Sequence, residues 1–140
     1  MPEAQIQNRK VSVPKNGPGN RPLDVVNYPA GGTIFAEGSP GFRAFIVQTG
    51  LVEISRVGTN GQRVLGYVGH GEVFGEMAPV DNEPRMASAK AVKDTTCVVI
   101  PEELLKAKIE GADPFIRDLM YVLIRGLRQV TKTLTDTSDD

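Results

Sequence analysis

Over residues 23–100 the chain never sustains one texture for long. β-prone runs of three to seven residues alternate with breaks rich in glycine, proline or asparagine. A helix needs ten or more residues of 3.6 periodicity, so this punctuation leaves no room for one of ordinary length and favours many short strands. The runs fall at 24–28, 33–35, 42–48, 51–57, 62–68, 72–74, 87–92 and 95–100, the last two read as a final pair joined near Lys93 and Asp94. Asn60-Gly61 between the fourth and fifth marks a hairpin, because that dipeptide adopts positive φ cheaply. About eight short strands with tight turns is the pattern of a jelly roll, or β-roll.

The texture changes after Ile100. Pro101 followed by Glu102 and Glu103 opens a short helix that Gly111 ends, since proline suits a first turn and carboxylates favour a helix N-terminus. Asp113-Pro114 then starts a longer helix with a cap and a first-turn proline. Ile116, Met120, Leu123, Leu127, Val130 and Leu134 form a heptad-like seam along it, and Phe115, Leu119 and Val122 form a second apolar stripe. Two readings stand: one stripe packs on the roll while the other meets a second copy, or a single broad face lies wholly on the roll. The fold expected is therefore mainly β with C-terminal helices. Its parts are a tail over 1–22, a domain over 23–135 (roll 23–100, helices 101–135) and an acidic tail over 136–140.

Bulk chemistry removes several function classes. A formal net charge of −1 leaves no basic footprint for nucleic acid or an anionic membrane surface. Cys97 is the one cysteine, set in an apolar run, and reads as a buried inert thiol. His70 is the one histidine, so neither a metal cluster nor a nucleophile–base set can be assembled, and no enzyme is expected. No stretch is apolar enough to span a membrane and the N-terminus does not read as a secretion signal, which makes a reducing cytoplasm the expected compartment.

One stretch carries chemistry. A glycine (Gly75) follows the strand residues Val73 and Phe74, then comes a carboxylate (Glu76), a turn-prone loop, and an arginine (Arg85) between Pro84 and Met86-Ala87-Ser88. Glycine lets backbone approach a ligand closely. Arginine presents a rigid fork of donors suited to phosphate oxygens. An ionised glutamate only accepts and suits hydroxyl donors such as those of a ribose.

This run resembles the phosphate-binding cassette of the cyclic-nucleotide-binding domain family, approximately F-G-E-(L/I/M)-A-L, a spacer, then P-R-A-A-(T/S). Phe74, Gly75, Glu76, Ala78, Pro84, Arg85, Ala87 and Ser88 fall at the family spacing without a gap. The resemblance implies that Glu76 binds the ribose 2′-hydroxyl and Arg85 the exocyclic oxygens of the cyclic phosphate. Backbone N–H groups around Gly75, Met77, Ala78, Met86 and Ala87 complete the phosphate nest. Pro79 and Met86 depart from the family pattern: the first removes an N–H, the second any side-chain hydroxyl.

The resemblance extends further at lower specificity. Leu65 and Val68 are candidate pocket walls or ordinary core. Gln129-Val130-Thr131 is similar to a segment of the catabolite-activator branch in which a hydroxyl touches adenine, which nominates Thr131, and Ser88 could serve a guanine. That branch also dimerises through the long helix, here 114–134. The leading expectation is a non-catalytic sensor of cyclic AMP, or of cyclic GMP, that uses no cofactor and relays through its C-terminal helices. No DNA-binding segment follows the long helix, so either the signal passes to a downstream protein or the chain is an excerpt of a longer one. The alternative is a ligand-independent interaction module that keeps the roll.

Overall fold

The structure, a computed structural model, describes residues 10–137. Eight strands occur among them: β1 (Val25–Tyr28), β2 (Thr33–Phe35), β3 (Arg43–Thr49), β4 (Val52–Gly58), β5 (Gly61–Val68), β6 (Val73–Phe74), β7 (Ser88–Ala91) and β8 (Thr95–Pro101). They form two antiparallel sheets, ordered β1-β8-β3-β6 and β2-β7-β4-β5. Three α-helices accompany them: α1 (Met77–Asp81), α2 (Glu102–Glu110) and α3 (Pro114–Thr137). This is the expected β-roll with its short and long C-terminal helices.

Among sequence neighbours only β4 and β5 pair; every other consecutive pair of strands is split between sheets or separated within one. The final pair expected at 87–92 and 95–100 is thus corrected: β7 joins β2 and β4, while β8 joins β1 and β3. The chain changes sheet at that corner. Thr95 pins the crossing, its hydroxyl donating to Lys93 C=O at 2.8 Å and accepting from Leu51 N–H at 3.2 Å. The β3–β4 crossing lies against it at Gly50, whose φ of +111° and closeness to Thr95 both require the missing Cβ.

The interior is aromatic at its centre. Phe45 stacks on Phe74 at 5.2 Å between centroids, Phe35 leans on both, and Tyr28 meets Phe45 edge-on. Val47, Val52, Val68, Ala89, Cys97 and Val99 close around them from the two inner faces. Burial pushes the Cys97 thiol up to about 11, which keeps it protonated and inert, as its apolar neighbours imply. The central strands β3 and β8 are buried on both faces, so their apolar residues run on rather than alternate. Their outer residues Ala44, Ile46, Val98 and Ile100 are covered by Leu104 and Leu105 of α2. Val80 of α1, Ile109 of α2 and Ile124 of α3 make a separate cluster with Met77 and Met120.

The long helix differs from its sequence reading. Neither stripe lies on the roll as a unit: Phe115, Ile116, Leu119, Val122, Leu123, Leu127, Val130 and Leu134 are all exposed. The inward line is instead Met120, Ile124, Arg128, Thr131 and Thr135, apolar only at its start. Asp113 does cap the helix, accepting from Phe115 N–H at 2.9 Å.

The tails differ in part. Lys10 bridges to Glu72, Val11 N–H donates to Gly71 C=O, and a 3₁₀ turn spans Pro18–Asn20, so order begins well before residue 23. At the other end α3 continues to Thr137, into the stretch read as an acidic tail. Residues 1–9 and 138–140 of those tails lie outside the described residues.

Because Phe74 sits fully buried in the aromatic stack, Phe74→Ala should cost about 3–5 kcal/mol of stability. Urea unfolding of the two proteins measures it, as a lower midpoint at unchanged slope.

Candidate functional site

Strand β6 is two residues long because the chain must turn at once: Gly75 has φ +73°, and a Cβ there would lie 2.8 Å from Arg85 Nη1 and 3.0 Å from the Phe35 ring. Past the glycine, Glu76 takes the N-cap position and Met77 starts α1. The N–H groups that open any helix have no intrahelical acceptor, so those of Met77 and Ala78 face out of the first turn. Pro79 falls in that same turn, where the missing N–H breaks no helical bond. Asn82, at φ +61°, ends the helix.

Arg85 lies inside the roll with only 6% of its surface exposed. Its backbone is held by the β2–β3 loop: Arg85 N–H donates to Ser39 C=O and its C=O accepts from Gly38 N–H, each at 2.8 Å. Its guanidinium lies 4.0 Å from the centroid of the Phe35 ring. Nη1 donates to Gly75 C=O and Nη2 to Arg43 C=O, both at 2.7 Å. Nε is buried and has no acceptor, the one such side-chain atom among the described residues. Gly41 makes this placement possible, since a Cβ there would come within 2.2 Å of Nε. Burial, and after it the neighbouring charges of Arg43 and Arg128, lower the Arg85 pKa to about 10, with Glu76 opposing. A cation kept dry, held by two carbonyls and left with one nitrogen unpartnered, is a potential anion partner.

Two cavities meet at this point. One, about 80 Å3, is bounded by Phe35, Phe74, Arg85, Ala87 and Arg128. The other, about 320 Å3, is bounded by β5 residues 65–68 and by Leu127, Thr131, Leu134 and Thr135 of α3. Ile54, Glu76, Met77 and Met86 border both. The structure therefore brings Gly75, Glu76, Met77, Ala78, Arg85, Met86 and Ala87 to the smaller cavity, and Thr131 with Leu65 and Val68 to the larger. Ser88 borders neither: its hydroxyl accepts from Glu37 N–H at 2.9 Å.

Sequence reasoning missed Phe35, Gly41, Asp81, Arg56 and Arg128. Arg128 forks onto Asp81, with Nε to Oδ2 at 2.6 Å and Nη2 to Oδ1 at 2.9 Å. A signal did exist: Arg128 stands four residues after Ile124, in line with Met120 at i, i+4 and i+8 on one helical face.

The cyclic nucleotide-binding domain family matches residues 25–111. The CRP-like cAMP-activated global transcriptional regulator of Mycobacterium tuberculosis is 34% identical over 115 residues, 81% of this chain and 51% of that protein. The chain thus spans about half the length of that relative. Among solved structures, a cAMP-bound form of the EAL enzyme Bd1971 superposes with a TM-score of 0.75 at 32% identity, covering 77% of this chain and 29% of that one. The Thermus thermophilus catabolite activator protein gives 0.64 at 34% identity, covering 80% of this chain and 53% of that one. None of the described helices is long and apolar enough to cross a membrane. With its cassette, its roll and these relatives in agreement, the chain belongs to the cyclic nucleotide-binding domain family.

Proposed function

We propose that this chain is a non-catalytic sensor of a cyclic nucleotide, cyclic AMP before cyclic GMP, working in the cytoplasm. The observation that carries the reading is the buried Arg85, one of whose nitrogens has no acceptor, on the wall of a cavity that continues past Glu76 to Thr131. A cyclic phosphate supplies the missing acceptor, and the N–H groups opening α1 stand beside it. Glu76, at the junction of the two cavities, accepts from the ribose hydroxyl. The base then lies among Leu65, Val68, Met86 and Leu127, with the Thr131 hydroxyl beside it. Cyclic AMP is preferred because Thr131 borders the base cavity, whereas the Ser88 hydroxyl is already engaged with the backbone of Glu37. The relatives whose names include cyclic AMP support the same preference.

A specific observation favours the second reading, a ligand-independent interaction module. Two of the Arg85 donor groups already hold carbonyls, and the cavity at that end is only about 80 Å3. Calorimetric titration decides between them. Under the sensor reading the unaltered chain binds cyclic AMP, and Arg85→Ala loses about 2–5 kcal/mol of that binding. Equal binding by the two proteins, or none by either, would remove it.

The pH dependence follows from the charge on Arg85. The ligand phosphate keeps its negative charge throughout, so of that pair only the Arg85 guanidinium changes charge as pH rises. Affinity should be level from pH 6 to 8, where Arg85 is protonated, and fall as pH rises through about 10. Titration in buffers of matched ionic strength measures it.

The exposed stripes of α3 fit a second copy of the chain, with Leu123, Leu127 and Val130 in a shared seam. Leu123→Glu together with Val130→Glu should convert a dimer to a monomer in sedimentation equilibrium. A monomer before substitution would exclude the pairing.

A further inference from the structure

The carbonyls on either side of Arg85 are each held by another arginine, and both arginines lead to α3. Pro84 C=O accepts from Arg128 Nη1 at 2.9 Å, while the rest of that guanidinium is forked onto Asp81 at the end of α1. Met86 C=O accepts from Arg56 Nη1 at 2.5 Å, and Arg56 Nε donates to Thr135 Oγ1, on α3, at 3.0 Å. Glu37 faces Arg56 at 3.5 Å. Arg128 and Asp81 are mostly buried, with 18% and 17% of their side chains exposed, so the pair is not a solvent-screened surface contact. The buried apolar contact between α3 and the other helices centres on Met120 and Ile124 against Met77, Val80 and Ile109. The half of α3 beyond Ile124 is therefore fastened to the roll by these two polar links and by Thr135, whose C=O accepts from Thr59 N–H at 3.4 Å beside Gly58. Of these contacts, the two arginine links are the ones that reach the backbone that carries Arg85.

We propose that Arg128 and Arg56 are positioning residues for the anion site, which lock the backbone of residues 84–86 to α3 and make ligand occupancy and docking of that helix a single equilibrium. The proposal rests on the cyclic-nucleotide reading of the same site. An anion that engages Arg85 Nε draws on a segment whose neighbouring carbonyls are already bonded to groups on α3, or to a group bonded to α3. A docked helix thus presents Arg85 in its binding position, and an occupied site holds the helix down by the same factor. Arg56 borders neither cavity, and Arg128, though on the wall of the smaller one, spends its Nε, Nη1 and Nη2 on Asp81 and Pro84. The requirement is for a planar fork more than for a charge, because one guanidinium must reach a carboxylate and a carbonyl at once.

The test uses the full chain, cyclic AMP as probe, calorimetry for affinity, and amide hydrogen exchange over residues 120–135 for the helix. Arg128→Lys and Arg56→Lys keep the charge and lose the fork; Asp81→Asn keeps the shape and weakens the pair. Circular dichroism confirms that each variant is folded, and Asp81→Asn serves if a lysine variant is not. In the unaltered chain, saturation with cyclic AMP should slow exchange over 120–135. Each variant should bind about 3- to 30-fold more weakly and, at saturation, gain less protection in that segment. Variants that match the unaltered chain in affinity and in protection overturn this proposal while leaving the sensor reading intact. Weaker binding with a full gain of protection also overturns it, since the arginines would then act on affinity alone. Failure of the unaltered chain to bind cyclic AMP removes the sensor reading and this proposal together.

Discussion

A positive charge inside the roll is the constraint to which the rest of this fold answers. Moving a guanidinium out of water costs several kcal/mol after relaxation, so Arg85 stays buried only if its surroundings return most of that. Two carbonyls, Gly75 and Arg43, take donor groups at 2.7 Å. The Phe35 face, 4.0 Å from Arg85 Cζ, adds a desolvated cation–π contact worth about 2 kcal/mol. Glu76 adds an opposing charge, while Arg43 and Arg128 subtract. The sum is incomplete. The lowering of the pKa to about 10 marks a residual penalty on the charged form, and Nε has no partner. Under the sensor reading, an anion at the guanidinium supplies what the protein leaves out, and a cost to the unliganded fold becomes a source of affinity.

That arrangement dictates other residues. Gly41 and Gly75 are both obligatory because a Cβ at either would occupy the volume of the guanidinium. Phe35 belongs at once to the core and to the site: its ring packs on Phe45 and Phe74 on one side and carries Arg85 on the other. The short β6 strand and the five-residue α1 follow from the need to turn the backbone around the same charge. Core and site are one packing problem here, and the aromatic stack is the floor of the pocket.

Much of this was legible in the sequence. Strand positions could be read because the breaks between them need particular residues: Gly50 and Gly61 adopt positive φ, and Asp113 accepts the N–H that starts α3. The cassette could be read because its chemistry is local, with Gly75, Glu76 and Arg85 inside one short segment. What escaped was set by distance along the chain. Which strands pair is decided by sheet crossings at Gly50 and Thr95, and neither residue announces its partners, so β7 and β8 looked like a hairpin. Phe35, Gly41 and Arg56 reach the site from strands and loops far upstream. The face of α3 was misjudged for a different reason. Both readings of its sequence put an apolar stripe on the roll, whereas the side that faces the roll is Met120 and Ile124 followed by Arg128, Thr131 and Thr135.

The polar character of that face bears on how the helix can move. A helix docked by a continuous apolar stripe loses about 25 cal/mol for every Å² it exposes on leaving, with nothing in water to offset it. One docked through guanidinium–carboxylate and guanidinium–carbonyl bonds regains hydration of every group it releases, so the net cost of undocking is a small difference between large terms. Equilibria of that kind are the ones a single ligand can reverse, because moving a population from one side to the other requires about 5.5 kcal/mol of differential binding at most extremes of 1:99 to 99:1. Of the apolar residues of α3, Phe115, Ile116, Leu119, Val122, Leu123 and Val130 are exposed, Met120 and Ile124 face inward, and Leu127 and Leu134 border the cavity. Burial of the exposed ones against a second helix would be largely independent of the polar links beneath. Under the proposed pairing and sensor readings, the two sides of α3 separate two tasks: the outer stripes would hold a neighbour, and the inner arginine contact would respond to what occupies the cavity.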